Sequence, residues 1–114
     1  MSLRDKPSAQ RVAEHPRATE YRLFADITRG LMAVGAADRS SEPFVSALER
    51  NRRLWTTLRA DLESEGNWLA TDLKAKLISL ALWAERHTDL VLHEGAEVGP
   101  LIAVNRTIME GLVN

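Results

Sequence analysis

Leu77 to Ala84 reads Leu-Ile-Ser-Leu-Ala-Leu-Trp-Ala, with one serine and no charge. The flanking pattern is helical, so the run belongs on a helix turning about 100° per residue. On that helix Leu69, Leu73, Leu77, Leu80, Ala84, His87 and Val91 form one stripe. Ile78 and Leu82 point almost the opposite way, and Trp83 lies between the two sides. A helix that is apolar all round cannot rest on a surface with one side in water. The rest of the chain or a partner must cover its second side.

The chain of 114 residues is long enough for one domain with its own core. Its formal net charge of −1 argues against a dedicated nucleic-acid binder, which carries a basic excess. The absence of cysteine excludes disulfides and thiolate metal sites. The first 16 residues contain no apolar core of signal-peptide length. The Leu77–Ala84 run falls short of the roughly 20 apolar residues that a membrane span requires. The expectation is a cytoplasmic protein with no membrane insertion.

No alternating strand pattern and no hairpin signal occurs. The reading is an all-α, small antiparallel four-helix bundle over residues 16–113. Residues 1–15 form a flexible or short helical N-terminal arm, with at most a short helix around Ala9–Glu14. Helix one runs from Pro16 to about Gly35 with Leu23, Phe24, Ile27, Leu31 and Val34 on its stripe. Ser40 or Ser41 caps helix two, Pro43 sits in its first turn, and Gly66 ends it. Its stripe is Phe44, Leu48, Trp55, Leu58 and Leu62. Asn67 caps helix three, which spans about Trp68 to His93 with an irregular first turn before Asp72, and Gly95 ends it. As the most apolar helix it is expected at the centre of the bundle. Pro100 opens helix four, with Leu101, Ile102, Ile108, Met109 and Leu112 on its stripe.

Each helix carries one polar residue near the middle of its apolar stripe: Glu20, Asn51, His87 and Asn105. A buried polar group left unpaired costs roughly 1–3 kcal/mol, so each needs a partner. Internal hydrogen bonds that set helix register are the reading for all four, with backbone amides at a helix start as an alternative for Glu20. The alternative is that some line a groove and meet a partner's backbone.

Sites for chemistry are missing from the pattern. His87 and His93 lie about 120° apart on one helix, unlike metal ligands at i,i+3 or i,i+4. Ser40, Ser41, Ser64 and Ser79 lack a glycine-rich elbow or a neighbouring base, and no phosphate-cradling glycine loop exists. The expectation is no enzyme, no metal and no cofactor. Arg50, Arg52, Arg53 and Arg59 cluster on helix two, but Glu49, Asp61 and Glu63 dilute them. Arg52 and Arg53 are the candidates for RNA contact, and a solvated face is the default reading.

Four blocks then form a recognisable series. They are Pro16-Arg17-Ala18-Thr19-Glu20-Tyr21-Arg22-Leu23-Phe24, then Asn51-Arg52-Arg53-Leu54-Trp55, then Ile78-Ser79-Leu80 with Trp83 and His87. The fourth is Pro100-Leu101-Ile102 followed by Asn105-Arg106, Ile108-Met109 and Gly111-Leu112. In this order they resemble the flagellar biosynthesis regulatory protein FlaF, a family of alphaproteobacteria, over about Ala9 to Leu112. The resemblance implies a role in flagellum biogenesis, in flagellin synthesis and its secretion, alongside the flagellin translational repressor FlbT. It implies flagellin as a partner of an export chaperone, and it supplies no catalytic residues.

Unassembled flagellin exposes amphipathic terminal helices, and a bundle with surplus apolar surface can cover one in a groove. The residues that exceed one stripe per helix are Leu54, Ile78, Leu82, Trp83, Leu90 and Leu92; the first five are the candidate partner-binding set. The alternatives are an RNA-linked post-transcriptional regulator of flagellin messenger, acting directly or through FlbT, and a homo-oligomer whose self-association hides the surplus.

Overall fold

The computed structural model describes residues 16–113, with side chains from 19 to 111. The expected N-terminal arm and the short helix around Ala9–Glu14 lie outside the described residues, as does the side chain of Leu112. Four helices and no strand occur among the described residues: α1 Pro16–Ala33, α2 Glu42–Glu63, α3 Thr71–Glu94 and α4 Gly99–Val113. They form an all-α antiparallel bundle.

The helix ends follow local chemistry. In the first connector the Ser40 backbone N–H and hydroxyl both donate to Asp38 Oδ1, at 2.9 and 2.8 Å. These two bonds, the backbone one first, hold the Asp38 carboxyl below its ordinary range. Ser41 caps α2 by accepting from the Phe44 N–H at 3.4 Å, with Pro43 and the acidic Glu42 in the first turn. The other end of α2 falls earlier than Gly66. The Ser64 N–H and hydroxyl return to the Asp61 carbonyl at 3.1 and 2.7 Å, so the chain leaves the helix at Glu63. Asn67 does not cap α3 either. It organises the connector instead, donating to Asp61 Oδ2 at 3.1 Å and accepting from the Leu69 N–H at 3.0 Å. The helix then starts at Thr71 behind Ala70, which makes no side-chain cap bond. Gly95 ends α3 at φ 77°, a left-handed conformation that glycine adopts without steric penalty.

Helix three is not the centre of the bundle. The helices pack in the sequence α3–α2–α1–α4, with only slight contact between α3 and α4 and no direct backbone packing of α1 on α3. The hub is α2, which buries Phe44, Leu48, Asn51, Leu54, Trp55 and Leu62. The reason lies in the seam that α3 presents. Its buried residues are Ala81, Ala84, Thr88 and Val91, small side chains that let two backbones approach closely. The Thr88 hydroxyl is satisfied within the helix by the Ala84 carbonyl at 2.8 Å. The large side chains fall beside this seam, so Leu69 and Leu73, expected in the core, remain 40% and 47% exposed.

The core is crossed by a polar network. The Trp55 indole is fully buried, stands edge-on to Phe24 with ring centroids 5.8 Å apart, and donates to Asn105 Oδ1 at 2.9 Å. An indole N–H can only donate, so it fixes which end of the Asn105 amide faces it. The Asn105 Nδ2 group then donates to Asn51 Oδ1 at 2.7 Å and to Thr28 Oγ1 at 3.0 Å. Four buried residues from α1, α2 and α4 are joined through one amide. Asn51 Nδ2 is left buried with no partner among the described residues.

This arrangement predicts unequal substitutions at two residues of the same type. Asn105→Leu strands the Trp55 N–H and the Asn51 and Thr28 oxygens, and should destabilise by about 3–5 kcal/mol. Asn51→Leu loses one bond but removes an orphaned donor, and should cost about 1 kcal/mol or less. Urea unfolding midpoints at constant slope measure the difference, and equal losses would contradict the network. A second pair tests the backbone. Gly95→Ala should destabilise by about 1 kcal/mol because φ is positive there, whereas Gly66→Ala, with no atom within 4 Å of its added methyl, should be neutral or stabilise by up to about 1 kcal/mol.

Candidate functional site

The bundle is open where α3 and α4 fail to pack. These two helices are joined through the connector 95–98 and diverge away from it, and a groove of about 690 Å³ occupies the gap at the far end. Its back is formed by Phe24 of α1 and by Leu54, Leu58 and Leu62 of α2. One side carries Leu69, Leu73 and Leu77, from the end of the second connector and the first turns of α3. The other carries Leu23 of α1 and Ile108 of α4. Polar groups at the site are Glu20, Thr57, Asp61, Asn67 and Thr107, so among the described residues its lining has two carboxylates and no lysine or arginine.

The joined end of the V is fixed by several bonds. His87 Nε2 lies 2.8 Å from the Glu97 carbonyl. A carbonyl only accepts, so this nitrogen carries the proton. The same ring stacks on Trp83 with centroids 4.9 Å apart. Arg39 Nη1 donates to the Val91 carbonyl at 3.1 Å and its guanidinium lies 5.5 Å from the centre of the Phe44 ring. These contacts anchor the C-terminal half of α3 and leave its first turns as the free side of the opening.

Of the five residues expected to bind a partner, the structure brings only Leu54 to this groove, and there it is a 9% exposed part of the back rather than surplus surface. Its position on α2 turns it inward, where the hub of the bundle covers it. Leu82 and Leu90 are 44% and 42% exposed and, like half-buried Ile78, lie outside the groove. Trp83 is half-buried and borders a separate shallow depression with Ala75, Lys76, Ser79 and Leu80. Glu20, expected to be buried, is exposed at the groove, because the first turns of α1 stand at the open end of the bundle. Asn51 and Asn105 are fully buried and His87 half-buried.

The residues missed from the sequence are Leu23, Leu69, Leu73 and Leu77, which read as core stripe, and Trp68, which is 95% exposed. The signal that separates them is the pair Ala81 and Ala84. A small-residue seam that starts there places the leucines before it outside the tight contact with α2.

Three of the four helix-two arginines are engaged with carboxylates. Arg50 meets Asp26 at 3.2 Å, and Arg52 meets Asp89 at 2.7 Å and Glu49 at 3.1 Å. Arg59 forks onto both Glu85 oxygens at 2.6 and 3.0 Å, which raises its pKa further, with Glu63 adding a longer contact at 3.4 Å. Arg53 is exposed. Among the described residues no group of three His, Cys, Asp or Glu side chains is placed to hold a metal ion. No described helix is long and apolar enough to cross a membrane.

No curated protein and no solved structure matches this chain. The model of the flagellar protein FlaF family matches residues 6–112, nearly its whole length. The chain belongs to the FlaF family of flagellar proteins.

Proposed function

We propose that this protein is a non-enzymatic regulator of flagellum biosynthesis that binds flagellin as an export chaperone. The observation that carries the reading is the apolar groove left open between α3 and α4 in a flagellar family member. Flagellin that has not joined a filament presents amphipathic helices whose apolar faces lack cover. A helix laid along Leu69, Leu73 and Leu77 on one side and Leu23 and Ile108 on the other finds matching apolar surface. Burying such a face keeps the subunit from aggregating before secretion. Promotion of flagellin synthesis follows indirectly, through FlbT as a protein partner that itself meets the messenger. The ion pairs of Arg50, Arg52 and Arg59 support this indirect route over direct RNA contact.

Co-purification with full-length and end-truncated flagellin, with particle mass measured for free and bound forms, tests the proposal. The expected result is a complex with full-length flagellin that is lost when one flagellin end is removed. Leu73→Glu should abolish capture while shifting stability by no more than about 0.5 kcal/mol, because Leu73 is half in solvent. Leu82→Glu, on the outside of α3, should leave both capture and folding intact. A groove filled by a second copy, seen as a concentration-dependent mass that Leu73→Glu disrupts without any flagellin binding, would overturn the proposal.

A further inference from the structure

Trp68 stands between Asn67 and Leu69, two residues that line the groove, and 95% of its surface is in water. It contrasts with the other two tryptophans, one fully buried and one half-buried. An indole left in solvent forgoes the stabilisation that burying its large apolar surface would give, and at the mouth of an apolar groove it is the kind of side chain that dominates binding energy. The chain around it is one-signed. From Asp61 to Leu73 the sequence holds Asp61, Glu63, Glu65 and Asp72 and no lysine or arginine. The nearest cation in sequence beyond this stretch, Lys74, donates its ammonium to the Asn67 carbonyl at 3.2 Å. Glu63 is partly taken up by Arg59. Across the opening, Glu20 adds a further carboxylate.

We infer that the groove takes an amphipathic helix whose apolar stripe is bordered by lysine or arginine, and that Trp68 is its anchor. The inference rests on the groove being a helix-docking site and adds the chemistry of its occupant. The apolar stripe fills the cleft. The cationic border meets Asp61, Asp72 and Glu20, and one ammonium or guanidinium lies over the Trp68 ring. Cations attract the indole face and the surrounding carboxylates at once, so Trp68 is exposed without a partner and covered with one. Electrostatic matching of this kind sets specificity and association rate more than raw affinity.

Two synthetic helices of about 18 residues, long enough to hold helical structure when docked, provide the probes. They share one leucine stripe and differ in having lysine or glutamate along its borders. Tryptophan emission and acrylamide quenching are followed in the full chain and in Trp68→Ala, whose difference isolates Trp68. The lysine-bordered helix is expected to shift Trp68 emission to the blue, to protect it from quencher, and to bind more weakly as salt rises. It should bind about tenfold more tightly than its glutamate twin, and Trp68→Ala should weaken it about threefold or more. Equal binding of the two helices would overturn the charge assignment. Unaltered affinity in Trp68→Ala would overturn the anchor. A Trp68 already shielded from acrylamide in the free protein would also overturn the inference, since the site would then be covered without the docked helix. Flagellin captured equally by the wild-type chain and by Trp68→Ala removes this inference and leaves the export reading standing. Lysine-bordered helix bound as expected, with flagellin not captured, removes the export reading and leaves this one.

Discussion

The hydrogen bond from Trp55 to Asn105 decides the architecture. It runs through the middle of the bundle, joining two helices whose backbones do not pack directly. Because the indole only donates, it sets the Asn105 amide, and the amide then collects Asn51 and Thr28. Sliding α4 by one residue along α1 and α2 would leave at least three buried polar groups unpaired, each costing about 1–3 kcal/mol. The register of three helices is therefore set by polarity, while Leu31, Leu48 and Leu101 supply the bulk of the burial around it.

α3 contributes nothing to that network. It is held to α2 by a seam of small residues and by side chains at the seam's edge. Arg59 to Glu85 and Arg52 to Asp89 are partly exposed ion pairs, whose attraction water and salt screen. These contacts lie at residues 81 to 91, while the groove leucines lie at 69 to 77. The opening is thus a consequence of two unequal attachments. One end of α3 is bonded to the connector by His87 and to the first loop by Arg39, and the other end is braced through its own connector, where Asn67 meets Asp61 and Lys74.

Much of this was readable from sequence, and the limits have physical causes. Phe44, Leu48, Trp55 and Leu62 recur at helical spacing, so the buried face of α2 follows from periodicity alone. Ser41 and Gly95 announce helix ends because each residue type solves a backbone problem that few others solve. Gly66 and Asn67 misled for the reverse reason: Ser64 satisfied the Asp61 carbonyl first, and Asn67 found Asp61 and Leu69 instead of a helix start. Asn51 and Asn105 stand out as amides inside apolar stripes, but which one makes three bonds depends on Trp55 and Thr28, and only the fold brings those together. The groove was not legible: its Leu23, Leu69, Leu73 and Leu77 read as core stripe, and the surplus residues Ile78, Leu82, Trp83 and Leu90 lie elsewhere. Periodicity ranks residues by angle around one helix, whereas exposure depends on where along its length the neighbour stops.

That distinction explains how a single helix both seals the core and borders an open cleft. Angularly, Leu73, Leu77, Ala84 and Val91 share one stripe of α3. Toward the C-terminal end the stripe narrows to alanine, threonine and valine and is sealed against α2. Toward the N-terminal end it widens to leucine and stands clear of α4. Replacing Ala81 or Ala84 by a larger residue would push the helices apart where they must touch, and shrinking Leu73 or Leu77 would empty the cleft without loosening the bundle. The back of the cleft, Phe24 against Trp55 with Leu54 beside it, belongs to the register-setting core and is already ordered before anything docks. A helix docked there, as proposed, would meet a surface whose ordering cost was met during folding, which is the condition under which a modest apolar area becomes useful affinity.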